Sequence, residues 1–314
     1  MKSNMFLLRY SWNLILGMGL LAGLLLQSCA GNATQKPQET LTSGVIHISA
    51  DASFQPIVDS QIQVFESQHP EAKIIVHYKS EADCFRDLNV DSIRMIIVTR
   101  GLSPEEQKIL KDTLTYNPPF GVMAYDALAL IVNNQSKDSL FTMQDVRSIA
   151  KGTSGYPYKM MLDGKTATSA VRFVRDTLLN GEKIGPSIVG AENSNAVINY
   201  ISEHNDAVGL IGVSWIGNPE DSEQASFLKK VKIASIECRK CTDGPYVKPY
   251  QANIYRSRYP MIRPLYYILK ENFDGLGSGF KNFLIYEKGQ RIFKRAYLLP
   301  ARMNFEVQNM DITQ

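Results

Sequence analysis

Three loops of this 314-residue chain carry hydroxyl and charged side chains between an apolar run and a helix-like segment. They span residues 49–54, 98–103 and 166–172. A helix N-terminus presents unpaired N–H groups and a partial positive charge of about half an elementary charge. Hydroxyl donors beside several such termini can hold an anion with few full charges. Ordinary helix capping explains any one of these loops, but three loops of one design favour non-covalent capture of an oxyanion.

The segments that flank these loops predict alternating strands and helices. Ser53 is the predicted N-cap of a helix with one apolar face, Ser103 and Glu106 form a capping box, and Ser169 is predicted to cap a third helix. The predicted strands span residues 45–49, 72–78, 93–98, 127–132, 158–162, 208–213 and 264–269. Besides the helix that begins after Ser103, the predicted helices span residues 54–65, 81–88, 142–152, 169–179, 194–201 and 279–289. This alternation predicts an α/β fold with a mainly parallel sheet, in which loops at the carboxyl ends of the strands share a cleft.

The N-terminus predicts export and lipid attachment. Lys2 and Arg9 precede an apolar run over residues 14–26, which is too short for a comfortable membrane span and suits a secretory signal. The run ends in Leu-Gln-Ser-Cys29, which resembles a bacterial lipobox. We therefore expect a signal peptide over residues 1–28, a lipid on Cys29 and a flexible tether over residues 29–43. An ordinary signal peptide with a chance cysteine and a signal anchor are the alternatives.

Composition and motifs argue against several other functions. The net charge of +3, without a basic cluster, gives no indication of a nucleic-acid partner. Cys238 and Cys241 have C-x-x-C spacing but no second ligand pair, so surface thiols or a local disulfide are favoured over a redox or zinc site. The four histidines, at positions 47, 69, 77 and 204, lack metal-ligand spacing. No hydrolase motif or dense Asp/His group is present, so we expect no enzyme activity, no metal and no cofactor.

Several blocks of the sequence resemble the phosphate-binding proteins of bacterial high-affinity phosphate ABC importers. The blocks run in order along the chain, at residues 51–57, 97–106, 124–133, 209–213, 259–267 and 283–292. The Ser-Gly-Thr-Ser loop of that family is not intact, and either residues 166–169 or residues 169–172 stand in its place. Asp126 is a candidate for an interaction at the hinge. The departures lie in the ligand loops, so a tetrahedral oxyanion is better supported than phosphate itself.

The resemblance implies a two-lobed, type II periplasmic-binding-protein-like α/β fold with the ligand cleft between the lobes. Lobe 1 would comprise residues 44–126 plus 265–314, and lobe 2 residues 127–264. It also implies a monomeric, lipid-anchored periplasmic protein that captures inorganic phosphate for ABC permease subunits. Sulfate or molybdate binding, or a structural or sensory lipoprotein that has lost the ligand, are the alternatives.

Site roles follow from the same resemblance, residue by residue. Arg100 and Arg172 would bind the oxyanion through their guanidinium groups. The alternative for Arg100 is a surface salt bridge, and the alternative for Arg172 is a solvated position in the middle of a helix. Asp51 would accept the proton of hydrogen phosphate and so reject sulfate, or would serve only as a cap. The remaining donors would be the hydroxyls or amides of Ser53, Phe54, Thr99, Thr168 and Ser169.

Overall fold

The computed structural model describes residues 39–302, except residues 154, 156–157, 165–167 and 243–245. The predicted signal peptide, Cys29, residues 29–38 of the tether and Thr166 therefore lie outside the described residues. Within the described part of the chain, no helix combines the length and apolarity needed to cross a bilayer.

One sheet organises most of the strands, in the order β2-β1-β3-β12-β4-β8-β6-β7, with β13 and β9 also paired to β4. The pairs β1–β2, β1–β3, β6–β8 and β6–β7 are parallel, whereas β12 and β8 run antiparallel to β4. A smaller sheet has the order β11-β10-β5. The strands are β1 (Gly44–Asp51), β2 (Ala72–Lys79), β3 (Ile93–Val98), β4 (Phe120–Asn133), β5 (Leu140–Phe141), β6 (Lys159–Asp163), β7 (Ile188–Ala191), β8 (Ala207–Gly212), β9 (Val231–Ile233), β10 (Ser235–Glu237), β11 (Tyr246–Val247), β12 (Ile262–Leu269) and β13 (Leu299–Pro300).

Ten helices flank these strands in the described part of the chain. They are α1 (Gln55–Gln68), α2 (Glu81–Arg86), α3 (Pro104–Leu114), α4 (Met143–Lys151), α5 (Ser169–Phe173), α6 (Ser194–Glu203), α7 (Ser222–Leu228), α8 (Gln251–Tyr255), α9 (Leu276–Ile285) and α10 (Glu287–Arg295). Short 3₁₀ turns precede α1 and follow β8, at Ala52–Phe54 and Val213–Trp215, and a π turn continues α5 over Val174–Leu178.

The long strand β4 divides the sheet into two halves. Its first part, to Ala127, pairs with β12, and the part from Leu128 to Val132 pairs with β8. Residues from Ala127 to Val132 have no exposed surface, because covering elements bury both faces of the sheet. We call the half that contains β1, β2, β3 and β12 the first lobe, and the half that contains β6, β7, β8 and β9 the second lobe. The residue boundaries expected for the lobes stay a prediction.

Separate cores stabilise the two lobes. In the first lobe, Phe54, Phe65 and Phe280 pack with the aliphatic residues of β1, and all three rings are buried. In the second lobe, Leu130 and Leu162 pack in one cluster and Val197 in another. Each lobe therefore buries its own apolar surface, which is the main stabilising contribution to folding and leaves the boundary between the lobes free to be polar.

Several local predictions are confirmed and others are wrong. The predicted capping box at Ser103 is present. The helix α4 begins after Thr142 and ends at Gly152, at φ +70°, as predicted, and Thr142 adds a capping box that was not predicted. The helix expected over residues 279–289 is two helices, because the chain turns extended at Tyr286. Cys238 and Cys241 form a local disulfide, one of the two alternatives left open by the sequence.

Candidate functional site

The carboxyl ends of β1 and β6 meet at the boundary between the lobes. The Ser169 N–H donates to Asp51 Oδ2 at 3.2 Å, and Ser53 Oγ donates to Asp163 Oδ2 at 2.7 Å. Trp215 Nε1 donates to the Ser53 carbonyl at 2.7 Å. All five residues are buried. Two of the three predicted loops are thus brought together across the cleft, as the sequence predicts.

The third loop joins them through a charged pair that the sequence does not reveal. Thr99 donates to Glu81 Oε1 from its N–H at 2.8 Å and from Oγ1 at 2.6 Å. Arg172 reaches across from α5, with Nε 2.5 Å from Glu81 Oε2 and Nη2 2.7 Å from Thr99 Oγ1. Thr99 and Arg172 therefore lie together, but the donors predicted for an oxyanion are already engaged by the protein's own carboxylate.

Arg100 is turned toward its own lobe. Its Nη1 and Nη2 donate to the two carboxylate oxygens of Glu106 at 2.7 and 2.8 Å. The guanidinium carbon lies 3.5 Å from the ring centroid of Phe85. The salt bridge considered as an alternative for Arg100 is therefore present, and its direct role toward an anion stays a prediction.

Two capping predictions are wrong, and the 3₁₀ turn at Ala52–Phe54 is the reason for the first of them, at Ser53. Asp51 is the N-cap of that turn and accepts the Ser53 N–H at 3.0 Å, so the Ser53 hydroxyl is free for Asp163. The helix α5 is capped by Thr168, which accepts the Val171 N–H, rather than by Ser169. Both serine hydroxyls therefore point into the cleft instead of capping a helix.

Arg263 of β12 is the functional candidate that the sequence prediction missed. Its side chain is only 3% exposed. Nε donates to Asp126 Oδ2 at 2.8 Å, and Nη1 donates to Ser169 Oγ at 2.8 Å. Its guanidinium carbon lies 4.6 Å from the Phe54 ring centroid. The available signal was one arginine in an otherwise apolar strand and one aspartate in another, since isolated charges inside buried strands need each other.

Four buried polar atoms at this place have no hydrogen-bond partner among the described residues. They are Arg263 Nη2, Asp126 Oδ1, Asp163 Oδ1 and Ser214 Oγ. A Cβ added at Gly212 would lie 2.9 Å from Arg263 Nη2 and 3.5 Å from Ser214 Oγ, so this glycine gives both groups room. Buried polar groups normally pair with protein, water or ligand. A ligand that both accepts and donates hydrogen bonds matches these atoms.

The carboxyl groups of the cleft differ in the direction in which their pKa values are shifted. Burial raises the pKa of Asp51 to about 6, and the nearby charges of Glu81 and Asp163 add to that rise. Burial likewise raises the pKa of Asp126, despite the Arg263 guanidinium. Burial alone would raise the pKa of Glu81, but the bonds from Arg172 and Thr99 outweigh it and the pKa is lowered. The raised pKa of Asp51 therefore allows this carboxyl to exchange a proton near neutral pH.

One cavity lies at the boundary between the lobes, and another borders the strands β4 and β12. One, of about 280 Å³, opens between the lobes at Glu81 and Arg172. Another, of about 520 Å³, includes Tyr125 and Ile262 in its lining. Since successive side chains of a strand face opposite ways, these two residues lie behind Asp126 and Arg263 and outside the cleft. No group of three or more metal-ligating side chains occurs among the described residues.

Comparison with known proteins finds a family and several relatives. A family model described as the PBP superfamily domain matches residues 34–288. A phosphate-binding protein PstS of Staphylococcus epidermidis is 21% identical over 318 aligned positions, which cover 96% of this chain and 93% of that protein.

Solved structures share the fold at low sequence identity. A protein from Clostridium perfringens, described as a phosphate ABC transporter substrate-binding protein with bound phosphate, has a TM-score of 0.68 and 18% identity, covering 82% of this chain and 100% of its own. An ABC-type phosphate transport receptor from Vibrio cholerae has a TM-score of 0.60 at 18% identity, with the same coverage. These likenesses confirm the fold class that the sequence resemblance implied.

Proposed function

The chain belongs to the family of PBP superfamily domains, and we propose that it captures inorganic phosphate between its lobes and delivers it to an ABC importer. One observation carries the proposal: the buried Arg263 keeps an unpaired N–H where hydroxyls from both lobes converge. The relatives from Staphylococcus epidermidis and Clostridium perfringens, whose names include phosphate, support that choice of ligand.

The proposed binding mode uses both the donors and the acceptors of the cleft. An oxygen of the anion accepts from Arg263 Nη2 and from Ser214 Oγ, which lie on the same side of Gly212. A protonated oxygen of the ligand donates to Asp163 Oδ1 or to Asp51. Ser53 and Ser169 then exchange their present carboxylate and guanidinium partners for the ligand, with the Phe54 amide and Thr168 close by. No covalent bond is made or broken, so the ligand is held by electrostatic attraction and hydrogen bonds.

The charge balance of the cleft favours a protonated oxyanion. Asp51, Asp126 and Asp163 surround the single guanidinium of Arg263 in the buried cluster. An oxyanion without a proton would place its oxygens against these carboxylate oxygens with no hydrogen between them, whereas a protonated oxyanion can donate a hydrogen bond to one of them. The proposal therefore favours hydrogen phosphate over sulfate, with molybdate as the other oxyanion to test.

The finer parts of the function rest on the sequence alone. We propose that residues 1–28 are removed, that Cys29 carries the lipid, and that residues 29–43 link a monomeric fold to the membrane on its periplasmic side. We also propose lobe boundaries at residues 44–126 plus 265–314 and residues 127–264. The permease subunits would recognise the closed form.

The proposal is tested by calorimetry on the fragment 39–314. This fragment contains all the described core clusters and keeps Glu39, which accepts from Arg94 and from the Leu276 N–H. Phosphate should bind one to one, with sulfate at least tenfold weaker. Trp215 is the only tryptophan of the fragment and bonds to Ser53, so its fluorescence should change on binding. No heat and no thermal shift at millimolar phosphate would contradict the proposal.

A second candidate function is favoured by one observation. Thr99 and Arg172 are held by Glu81, so the lobes are joined by the protein's own charges. A structural or sensory lipoprotein that has lost its ligand would keep such a contact. It would give no binding of phosphate, sulfate or molybdate while the fragment remains cooperatively folded.

A further inference from the structure

The segment that leads into β1 lies along α9 of the first lobe. Glu39 accepts a hydrogen bond from the Leu276 N–H, at the start of α9, at 2.8 Å. A Cβ added at Gly279 would lie 1.8 Å from the Leu41 carbonyl oxygen, so α9 needs a glycine where the segment crosses it. We call residues 39–42 the strap. Part of the segment expected to be a flexible tether is therefore fixed to the first lobe.

Two exposed aromatic side chains flank the strap. Phe273 is 55% exposed, and its ring centroid lies 5.1 Å from the guanidinium carbon of Arg94, which donates to Glu39 of the strap at 2.7 Å. Tyr286 is 58% exposed, and it lines an apolar groove of about 400 Å³ together with Leu41 of the strap. Exposed aromatic rings beside an apolar groove suit the interface between a bilayer and water.

A basic side of α10 continues this surface. The exposed positions of α10 recur at helical spacing on one side of the helix, and they comprise four basic residues and one acidic residue. These are Lys288, Arg291, Lys294, Arg295 and Glu287. Lys288 also lines the groove beside Tyr286, so the basic side and the groove are contiguous. An excess of positive charge on one side of a helix attracts an anionic surface.

Two of these cations keep their full charge. Lys288 donates to the side-chain amide oxygen of Gln68 at 2.6 Å, and an amide carries no charge that could neutralise it. Neither Lys288 nor Arg295 forms an ion pair with a carboxylate among the described residues, whereas Arg291 pairs with Glu287. The basic side of α10 is therefore available to negative charges outside the protein.

This surface is confined to one side of the first lobe. Ile97 of β3 packs in the cluster that contains Phe280 of α9 and Phe293 of α10. The neighbouring Ile96 packs in the cluster that contains Leu110 of α3. Because successive side chains of a strand face opposite ways, α3 covers the other side of the sheet and can serve as an internal control.

The strap and the cleft lie at opposite ends of β1. The strap precedes Gly44, where the strand begins, whereas Asp51 at its end accepts from Ser169 across the cleft. The strand separates these two ends by about 23 Å. A partner bound at the strap therefore leaves the cleft open to solution.

We propose that the strap, Phe273, Tyr286 and the basic side of α10 form a membrane face that docks the first lobe on an anionic phospholipid bilayer. The aromatic rings enter the interface, and the cations of α10 lie against the lipid phosphates. The inference rests on the proposed function only for the lipid on Cys29. Ten residue steps join Cys29 to Glu39 and span at most about 36 Å, which keeps the membrane face within reach of the bilayer. Docking fixes the first lobe and leaves the second lobe free to close.

The first test measures vesicle binding of the fragment 39–314, which lacks Cys29 and therefore the lipid. The fragment should sediment with vesicles that contain phosphatidylglycerol and much less with pure phosphatidylcholine vesicles, and added salt should release it. Lys288→Gln/Arg295→Gln should lower the partition coefficient at least about tenfold. The matched control, Lys108→Gln/Lys111→Gln, removes two exposed lysines from α3 and should lower it less than about twofold. Equal losses in the two variants, or no binding of wild type to anionic vesicles, would overturn the proposal.

The second test identifies the side of the protein that touches the bilayer. Phe273→Trp places a fluorophore in the membrane face, and Ile109→Trp places one at a position on α3 that is 60% exposed. Trp215 is common to both variants, so the additional fluorescence is compared. Brominated phosphatidylglycerol vesicles should quench the additional fluorescence of Phe273→Trp and leave that of Ile109→Trp unchanged. Quenching in both variants or in neither contradicts docking through the membrane face.

Phosphate calorimetry separates this inference from the proposed function. Lys288→Gln/Arg295→Gln should bind phosphate with the wild-type Kd, because the membrane face lies away from the cleft. A wild-type protein that docks on anionic vesicles but gives no heat with phosphate would overturn only the proposed function. A protein that binds phosphate but does not dock would overturn only the membrane face.

Discussion

Arg263 lies directly opposite Asp126 in the antiparallel pairing of β12 and β4, and its Nε donates to Asp126 Oδ2 at 2.8 Å. The pairing fixes the guanidinium plane, so that Nη1 reaches Ser169 of the second lobe. A positive charge is thereby held at the hinge, on the two strands that connect the lobes. Because the arginine is anchored by the sheet itself, it stays in place when the lobes separate.

Arg263→Gln should abolish measurable phosphate binding, a loss of at least about 100-fold in Kd, because the only buried cation of the inner cluster is removed. It should also lower the free energy of unfolding by about 3 to 5 kcal/mol, since Asp126 is left as an unpaired buried charge. Calorimetry and urea unfolding measure the two effects. The double variant Asp126→Asn/Arg263→Gln should regain most of the stability but none of the binding. Binding restored in the double variant would contradict the role of Arg263.

The sequence predicted the elements and general position of the site because both depend on local signals. Alternating apolar runs and caps such as Ser103 and Thr142 are readable along the chain. The gathering of loops at strand ends follows from the topology of a parallel sheet. The helix predicted over residues 279–289 is interrupted at Tyr286, where the backbone is extended although the sequence pattern continues to be helical.

The partners inside the cleft could not be predicted, because they depend on contacts between residues that are distant in sequence. Glu81 lies 91 residues before Arg172, and Ser53 lies 110 residues before Asp163. Local patterns describe a serine near a helix start as a cap, whereas the 3₁₀ turn after β1 moves that task to Asp51. The sequence indicated Arg263 only indirectly, as an arginine within an apolar strand. Its role in the cleft depends on its burial, which cannot be predicted from the sequence alone.

Gly212→Ala should weaken phosphate binding at least about tenfold, because its Cβ would lie 2.9 Å from Arg263 Nη2 and would push the guanidinium away. The matched control is Gly209→Ala on the same strand, whose Cβ would meet Ile131 and Val197 at 2.7 and 2.8 Å in the core. Both variants should lose about 1 to 3 kcal/mol of stability in urea unfolding. Only Gly212→Ala should change Kd, and an equal loss of affinity in both would show that general destabilisation is the cause.

Asp51 should make the protein less stable as the pH rises. Its pKa in the folded protein is about 6, above the ordinary value of 3.8, so the stabilisation is fully present below 3.8 and is lost as the pH rises through 6. The total effect is about 3 kcal/mol. Asp51→Asn should therefore gain stability relative to wild type between pH 4 and pH 7 in urea unfolding, whereas Asp91→Asn, at an exposed position, should not. A stability difference that is flat with pH would contradict the raised pKa.

Glu81→Gln should loosen the lobes and lower the free energy of unfolding by about 1 to 3 kcal/mol at pH 7, because the ion pair to Arg172 is lost while a carbonyl oxygen still accepts from Thr99. The pKa of Glu81 is lowered below its ordinary value of 4.5, so its stabilisation is present above 4.5 and is lost as the pH falls through the folded pKa. The stability difference between Glu81→Gln and wild type should therefore shrink in acid, opposite in sign to the effect of Asp51.

A matched pair within one lobe tests whether Glu81 holds the lobes together. Glu106→Gln also removes the carboxylate partner of an arginine, but the pair with Arg100 lies entirely in the first lobe. Acrylamide quenching of Trp215 reports access to the cleft, since its indole N–H bonds to the Ser53 carbonyl across the boundary. Quenching should increase in Glu81→Gln and stay at the wild-type level in Glu106→Gln. If acrylamide quenches Trp215 to the same extent in both variants, the ion pair of Glu81 and Arg172 contributes to stability but does not control the opening of the lobes.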